Sequence, residues 1–280
     1  MSCKILFTLA LTGSLLVSNF AFGQEQVKRR YTRADFINIE GGNLNEKVER
    51  AFKQFKGSNQ GDSVWIAYHF PARDGASIGP FGGMIYYDEG IKLERRDDPA
   101  SAAVFLLTDA TGSQPKFTRI KILTLSEPFV FENRQVYWLG DIEAAQSIGL
   151  IENLMRADKE NRDLVRNALR AISVHQSPRV IPLLKEVATK ETNLEIQRSA
   201  VSNLARIKSA ESLETLINLY DTSTIDSLKE EIINGIARND HRKAADKLLA
   251  IAKSDPNPKM RQRAIRGLST VNKSSGTWVN

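Results

Sequence analysis

The chain has 280 residues, of which 41% are hydrophobic and 26% are charged, with a net charge of +6 and an isoelectric point near 9.3. This length is enough for two domains and a sizeable buried core. The charge excess over residues 141–280 is only +4, which is too dilute for the dense basic stripe of a nucleic-acid-binding protein. We therefore expect no nucleic acid among its partners.

The first 23 residues have the pattern of a secretory signal peptide. Lys4 supplies a positive start, residues 5–22 form an apolar stretch, and small residues lead to a predicted cut after Gly23. A retained membrane anchor is the alternative, because this 18-residue stretch is barely long enough to span a bilayer. The one cysteine, Cys3, lies in this segment, so the mature chain has neither a disulfide nor a thiol. We expect a periplasmic or secreted protein with no stable membrane span after cleavage.

Residues 24–125 are predicted to form a small α+β domain. Asn43 and Glu46 form a capping-box pair ahead of a helix with its apolar residues on one face. The stretch 64–70 alternates, with Val64, Ile66, Tyr68 and Phe70 on one face, which is typical of a strand. Further strands are predicted near 84–93, 102–108 and 117–125, and one helix with about four strands indicates an α+β unit.

Residues 126–272 are predicted to form an all-α solenoid, followed by a tail at 273–280. Its main part is four helical hairpins of about 32 residues each. The first helices carry apolar stripes such as Ile148, Ile151 and Leu154. Four columns of the second helices recur at the 32-residue spacing, and all sixteen positions are apolar: Leu164, Ile196, Leu228 and Met260; Ala168, Ala200, Ile232 and Ala264; Leu169, Val201, Ile233 and Ile265; Ile172, Leu204, Ile236 and Leu268.

Residues 126–145 are predicted to be a half-repeat that joins the α+β domain to the hairpins. Val136 and Leu139 lie 33 residues before Leu169 and Ile172, which favours the end of a second repeat helix. Such a unit would cover the apolar end of the array. A last β-strand is the competing interpretation of the same residues.

These repeats resemble those of the HEAT-repeat family over about residues 126–272. The stretch 177–188 resembles the family's first helix with its internal proline, Pro182, and the stretch 255–268 resembles its turn and second helix. The sequence departs from the pattern because only one unit keeps the proline, and Glu230 and Gln262 replace an arginine. The resemblance implies a scaffold for protein partners without universal catalytic residues. A subset of the family handles bilins, which leaves a tetrapyrrole lyase-like chaperone as a less favoured function for an exported chain.

No catalytic, cofactor or metal motif is present in the sequence. The histidines His69, His175 and His241 lack partners at metal-ligand spacing, and no nucleophile elbow or phosphate-binding glycine loop occurs. We therefore predict a non-enzymatic protein without cofactor or metal. The alternative is an enzyme or enzyme subunit with its active site in the α+β domain, which would require a cleft that brings His69 to carboxylates.

The sequence offers two candidate binding sites. One is the loop Pro71–Gly83, which we expect beside exposed aromatic residues, Trp65, Tyr86 and Tyr87. The other is a set of arginines between the apolar columns of the second helices, which would bind a protein partner with an acidic surface: Arg166, Arg170, Arg198, Arg206, Arg238 and Arg266. A solvated face with salt bridges to Glu195, Glu230 or Glu231 is the competing interpretation. The sequence sets neither the partner's identity nor the oligomeric state.

Overall fold

The protein is described by a computed structural model over residues 30–58, 61–78, 85–88, 91–94, 100, 102–125 and 129–275, with side chains for all of these but 30, 85–94 and 272–275. The predicted signal segment, its cut after Gly23, and the last part of the predicted tail (276–280) lie outside these residues. Among the helices in these ranges, none is both long enough and apolar enough to cross a membrane.

The N-terminal part of the described chain contains one α-helix, α1 (Leu44–Ser58), a short 3-10 helix (Arg33–Asp35) and nine strands. In chain order the strands are β1 (Arg30–Tyr31), β2 (Ile37–Asn38), β3 (Ser63–His69), β4 (Ile85–Asp88), β5 (Ile91–Glu94), β6 (Ala102–Asp109), β7 (Lys116–Thr124), β8 (Phe129–Val130) and β9 (Val136–Asp141). Five of them form a mixed sheet in the order β2–β9–β3–β6–β7. Strands β2 and β3 run parallel to β9, whereas β6 is antiparallel to both of its neighbours. Separate two-stranded ribbons pair β1 with β8 and β4 with β5.

Both faces of this sheet are covered. The residues predicted to share one face of β3, from Val64 to Phe70, are buried in a core that continues into α1 and the hairpins. On the other face, Trp65 is fully buried in an aromatic cluster. The expectation that Trp65 is exposed is therefore wrong, because Phe105, Phe131 and Trp138 share that cluster. The side chains of Tyr86 and Tyr87 lie outside the described residues.

The predicted half-repeat at 126–145 is wrong, and the competing interpretation as a strand is correct. Residues 136–141 form β9, which lies between β2 and β3. Val136 and Trp138 enter the aromatic cluster, while Tyr137 and Leu139 enter the main core. The first four residues of β9 are buried on alternate faces of the sheet, so all four are apolar and they also matched the spacing of a helical column. The solenoid therefore begins at Ala144.

Eight helices follow and pair into the four predicted hairpins. They are α2 (Ala144–Ala157), α3 (Arg162–Val174), α4 (Val180–Lys190), α5 (Leu194–Ala205), α6 (Ala210–Thr222), α7 (Asp226–Ala237), α8 (Arg242–Ser254) and α9 (Pro258–Ser275). The odd-numbered second helices pack on one another in sequence along the array. Fifteen of the sixteen column residues are buried or half-buried, and the exception is Ile265, which is 59% exposed.

Helix starts follow the same period as the core. Asn161 and Asn193 lie at the N-caps of α3 and α5, where their side chains accept backbone N–H groups. Asn257 occupies the same column before α9 and accepts the N–H of Lys259. Ile225 replaces the asparagine before α7, where no side-chain cap forms. The repeated asparagine thus stabilises the start of three of the four second helices, whereas α7 begins at the equivalent position without it.

Close approach of the second helices depends on two glycines that lie 32 residues apart. A Cβ atom added to Gly235 would lie 3.0 Å from the Cβ of Ala205, and one added to Gly267 would lie 3.1 Å from the Cβ of Ala237. In α5 the equivalent residue is Asn203, whose amide oxygen accepts a hydrogen bond from Ser173 at 3.3 Å. A small-residue contact therefore links the later hairpins, and a polar contact links the first two.

The sheet and the first hairpins share one core. The Tyr68 hydroxyl is 2.9 Å from the Ser147 hydroxyl, which is itself 2.7 Å from Nε2 of His175. The ring of His175 stacks on Phe70 with 3.9 Å between ring centroids. The sheet therefore covers the apolar end of the array, which is the role that the sequence had assigned to a half-repeat.

Candidate docking surface on the second helices

Four of the six predicted arginines come together in the structure. Arg166 and Arg170 of α3, Arg198 of α5 and Arg206 just beyond α5 line a cavity of about 440 Å³. Three uncharged polar side chains and two carboxylates complete the lining: Ser199, Ser202, Asn203, Glu195 and Glu231. Guanidinium, hydroxyl and amide groups are hydrogen-bond donors, so the cavity favours an anionic group.

The two other predicted arginines lie further along the array. Arg238 follows α7 directly and is exposed. It is close enough to Arg206 for its positive charge to lower the pKa of that residue. Arg266 lies on α9, is exposed and does not line the cavity. Within the described ranges, neither side chain makes an ion pair. Arg238 thus lies near Arg206 without lining the cavity, whereas Arg266 belongs to another part of the surface.

Ion pairs link the cavity arginines across neighbouring hairpins. Arg166 contacts both Asp163 and Glu195, each at 2.5 Å, and Arg198 lies 3.9 Å from Glu231. The salt bridges of the competing interpretation are therefore present, but those to Glu195 and Glu231 run between hairpins rather than within one. Such half-exposed pairs typically contribute about 0–1 kcal/mol, so an incoming carboxylate can compete for these arginines.

The pKa of Arg206 is lowered, first by burial and then by the positive charge of Arg238. Both causes penalise the charged guanidinium, and an anion placed between the two arginines would offset both. The electrostatics of the cavity therefore favour the same ligand class as its hydrogen-bond donors do.

The second candidate of the sequence, the loop after β3, lies beside this cavity. The Arg170 guanidinium donates a hydrogen bond to the carbonyl of Ser77 at 2.6 Å. The backbone N–H of Arg73 donates to the carbonyl of Val174 at 2.9 Å, and Gln176 N–H donates to that of Pro71 at 3.0 Å. The structure thus joins the first part of the loop, through Ile78, to the arginine set, while residues 79–83 lie outside the described residues.

Arg73 is the residue that sequence reasoning missed. Its guanidinium donates to the carbonyls of Ser173 and Arg206, each at 3.0 Å, at the C-terminal ends of α3 and α5. Helix C-termini carry a partial negative charge, so one cation stabilises both ends. Burial lowers the pKa of this guanidinium. No local sequence signal marks this role, because the two carbonyl groups are 100 and 133 residues away.

A serine–histidine pair occurs at the junction but lies in the core. The rings and hydroxyls of Tyr68, Ser147 and His175 are at most 1% exposed. Nδ1 of His175 donates to the carbonyl of Ala171 at 2.8 Å, which leaves Nε2 to accept from Ser147 in the neutral ring. Burial lowers the pKa of His175 to about 4. This neutral hydrogen-bonded chain satisfies buried polar groups and holds the sheet against the array.

His175 should make stability depend on pH. Because the pKa is about 4 in the folded chain and about 6.5 when unfolded, the unfolded state binds a proton first as pH falls. The stabilisation is complete above pH 6.5 and is lost toward pH 4. Between pH 6.5 and 5, the wild type should lose about 2 kcal/mol of unfolding free energy more than His175→Gln, measured by urea denaturation. Equal losses in both proteins would contradict a neutral buried ring, and His241→Gln at an exposed histidine is the matched control.

His69 does meet a carboxylate, as the enzyme alternative requires. Its Nδ1 lies 2.8 Å from a carboxylate oxygen of Asp141, and its Nε2 lies 3.0 Å from the carbonyl oxygen of Ala100. Both ring nitrogens thus have acceptors in this arrangement. Among the described residues, no group of three or more His, Cys, Asp or Glu side chains could hold a metal ion.

A larger groove of about 770 Å³ lies between the first two hairpins. Its rim has as many carboxylates as cations: Arg156, Lys159, Arg162 and Lys190 against Glu152, Glu160, Glu186 and Glu191. This balance gives the groove no preference for one sign of charge. The cavity at Arg170 and Arg206, with four arginines and two carboxylates, is therefore the better candidate for binding an anionic group.

A mixed sheet that covers one end of four stacked helical hairpins defines an α-solenoid repeat protein. Residues 149–237, from α2 to the end of α7, match the family model for HEAT repeats. This match confirms the resemblance of these residues to HEAT repeats, and HEAT repeats are typical of protein-interaction scaffolds. A comparison with curated proteins finds no match.

Proposed function

We propose that this protein is an exported, non-enzymatic scaffold that docks an acidic segment of a protein partner on its second helices. The observation that carries the proposal is the cavity between α3 and α5, where four arginines face only two carboxylates. HEAT repeats in the same residues support a role in protein interaction. Export rests on the signal-peptide pattern of the first 23 residues.

The exposed arginines would make the first contacts with the partner. Arg198 is half-exposed and only weakly paired, and Arg238 is exposed. Their planar guanidinium groups can each hold a carboxylate through two parallel hydrogen bonds. Ser199, Ser202 and Asn203 would complete the hydrogen bonds to that carboxylate or to the partner's backbone. Such binding weakens as salt is added, because these contacts lie near the surface.

The sheet domain would hold the second helices of this surface in fixed positions and would not contact the partner itself. Arg73 holds the ends of α3 and α5 together, and Arg170 is tied to the loop through Ser77. Two second helices held at a set spacing need less ordering when the partner binds, which favours affinity.

The test is in-cell crosslinking of the full-length protein, followed by mass spectrometry. Charge reversal with Arg198→Glu and Arg238→Glu should remove most crosslinks to acidic partners and leave the helical signal in circular dichroism unchanged. The matched control is Lys185→Glu with Lys116→Glu, which reverses two exposed lysines away from the cavity. Crosslinks that survive the arginine reversal, or that the lysine control removes equally, would refute docking at this cavity.

A further inference from the structure

In the last described hairpin, one apolar residue is exposed although the equivalent residues of the earlier hairpins are buried. Leu169, Val201 and Ile233 are fully buried, whereas Ile265 in the same column is 59% exposed. Each earlier second helix is covered by the next one along the array, and within the described residues no helix follows α9. Leu249 in the adjacent helix α8 is also 44% exposed. We call the surface of α9 formed by Ile265 and the half-buried Leu268, three residues further along the helix, the end face.

The same hairpin carries a strong positive charge. Residues 242–275 contain nine Lys and Arg against two Asp and Glu, a net charge of +7, which exceeds the +6 of the whole chain. The preceding hairpin, residues 210–237, has six acidic residues and one lysine, a net charge of −5. The two hairpins thus stack with opposite charges, and the modest charge of the whole chain conceals both.

Cations that face the preceding hairpin are paired with it. Lys259 and Arg263 both contact Glu230, and Lys243 and Lys247 contact Glu214 and Asp221. By contrast, Lys253 and Arg266 make no ion pair within the described part of the chain. The carboxylates of the acidic hairpin therefore pair with the cations on one side of α8–α9. The cations that remain, such as Lys253 and Arg266, are available to a partner that covers the end face.

A second copy of this chain does not fit the end face. The other end of the array, where a head-to-tail copy would have to bind, is covered by the sheet through Tyr68, Phe70 and His175. A two-fold arrangement would instead bring two hairpins of net charge +7 together, which is repulsive. Residues 276–280 contain no Asp or Glu, so their side chains bring no carboxylate to the basic rim.

We propose that the end face binds an acidic amphipathic helix of a protein partner. Such a helix would lie on α9 as α9 lies on α7, with its apolar stripe over Ile265 and Leu268 and its carboxylates toward Lys253 and Arg266. A protein helix is favoured over an anionic membrane or a nucleic acid because each earlier second helix is covered by another helix, and α7 meets the cations Lys259 and Arg263 of α9 with the carboxylate of Glu230. This surface lies apart from the arginine cavity, so the proposal stands independently of the function proposed above.

The test uses the full-length protein and a labelled synthetic helical peptide with a leucine stripe and glutamates at the other positions. Fluorescence anisotropy should show binding, and Ile265→Asp should weaken it at least about tenfold, as expected when a central apolar contact is lost. Lys253→Glu with Arg266→Glu should weaken it similarly. Leu194→Asp is the matched control, because Leu194 is an exposed apolar residue of α5, and it should bind like the wild type. Circular dichroism checks that each variant is folded.

Three results would overturn the proposal. The first is no binding, or binding that Ile265→Asp leaves unchanged. The second is a different ligand class. Either a peptide with lysines in place of glutamates binds equally well, or the acidic peptide does not bind while the protein binds anionic vesicles or duplex DNA and loses that binding on Ile265→Asp. For the third, a photo-crosslinking amino acid replaces Gln262. Crosslinks to residues 276–280 or to a second copy, instead of to the peptide, would overturn the proposal.

Discussion

Ile233→Ala should lower the free energy of unfolding by about 4 kcal/mol, whereas Ile265→Ala in the same column should lower it by less than about 0.5 kcal/mol. Ile233 is fully buried between the second helices, and Ile265 is 59% exposed. Truncation of a buried isoleucine removes its contacts and leaves a cavity, but truncation of an exposed one removes little. Helix propensity changes equally at both sites, so it cancels in the comparison.

Urea denaturation followed by circular dichroism measures both variants. The slope of unfolding free energy against urea should stay constant, which would show that the repeats still unfold as one unit. A large loss for Ile265→Ala in the isolated protein would mean that another part of the chain already covers the end face. It would therefore count against an open surface there.

Arg73→Met should lower the unfolding free energy by about 3 kcal/mol. The substitution keeps most of the aliphatic packing but removes two charge-assisted hydrogen bonds, to the carbonyls of Ser173 and Arg206. Each such bond contributes about 1.5–3 kcal/mol, and part of that is regained when the carbonyls bind water. Arg73→Lys should recover at most half of the loss, since one ammonium group does not have the fork that reaches both helix ends.

Arg156→Met is the matched control for Arg73→Met. Arg156 is an exposed arginine of α2 that contacts Glu152 and Asn153 within its own helix, so its loss should cost less than about 0.5 kcal/mol. Thermal or urea denaturation at one pH compares the two. Equal effects would show that Arg73 does not anchor the loop to the array. The anchoring also predicts faster proteolysis of residues 71–78 in Arg73→Met.

The repeat array could be predicted from sequence because its signal is local. Apolar residues at i, i+4, i+5 and i+8 define a helix face, and recurrence after 32 residues defines the neighbour against which that face packs. The helix α1 could be predicted for a similar reason, since Asn43 and Glu46 form the expected capping box. These inferences require no knowledge of contacts between distant segments.

The errors arose where burial depends on distant segments. Strand β9 was interpreted as a helix because both of its faces are buried, which removes the polar alternation that identifies a strand. The burial of Trp65 was missed because the aromatic cluster that covers it contains Phe129 and Phe131, which lie far along the chain. The exposure of Ile265 was not expected either, since its column is apolar throughout.

By itself, the sequence determined the solenoid, its period and the set of arginines between the apolar columns, because each depends on spacing within one or two helices. Only the tertiary structure decided that four of the six arginines line one cavity, that Arg73 binds the backbone carbonyl of Arg206, and that Ile265 of the end face is exposed. The physical reason is that these features depend on contacts between residues far apart in the chain, such as the 133 residues between Arg73 and Arg206. No periodicity in sequence records such a contact.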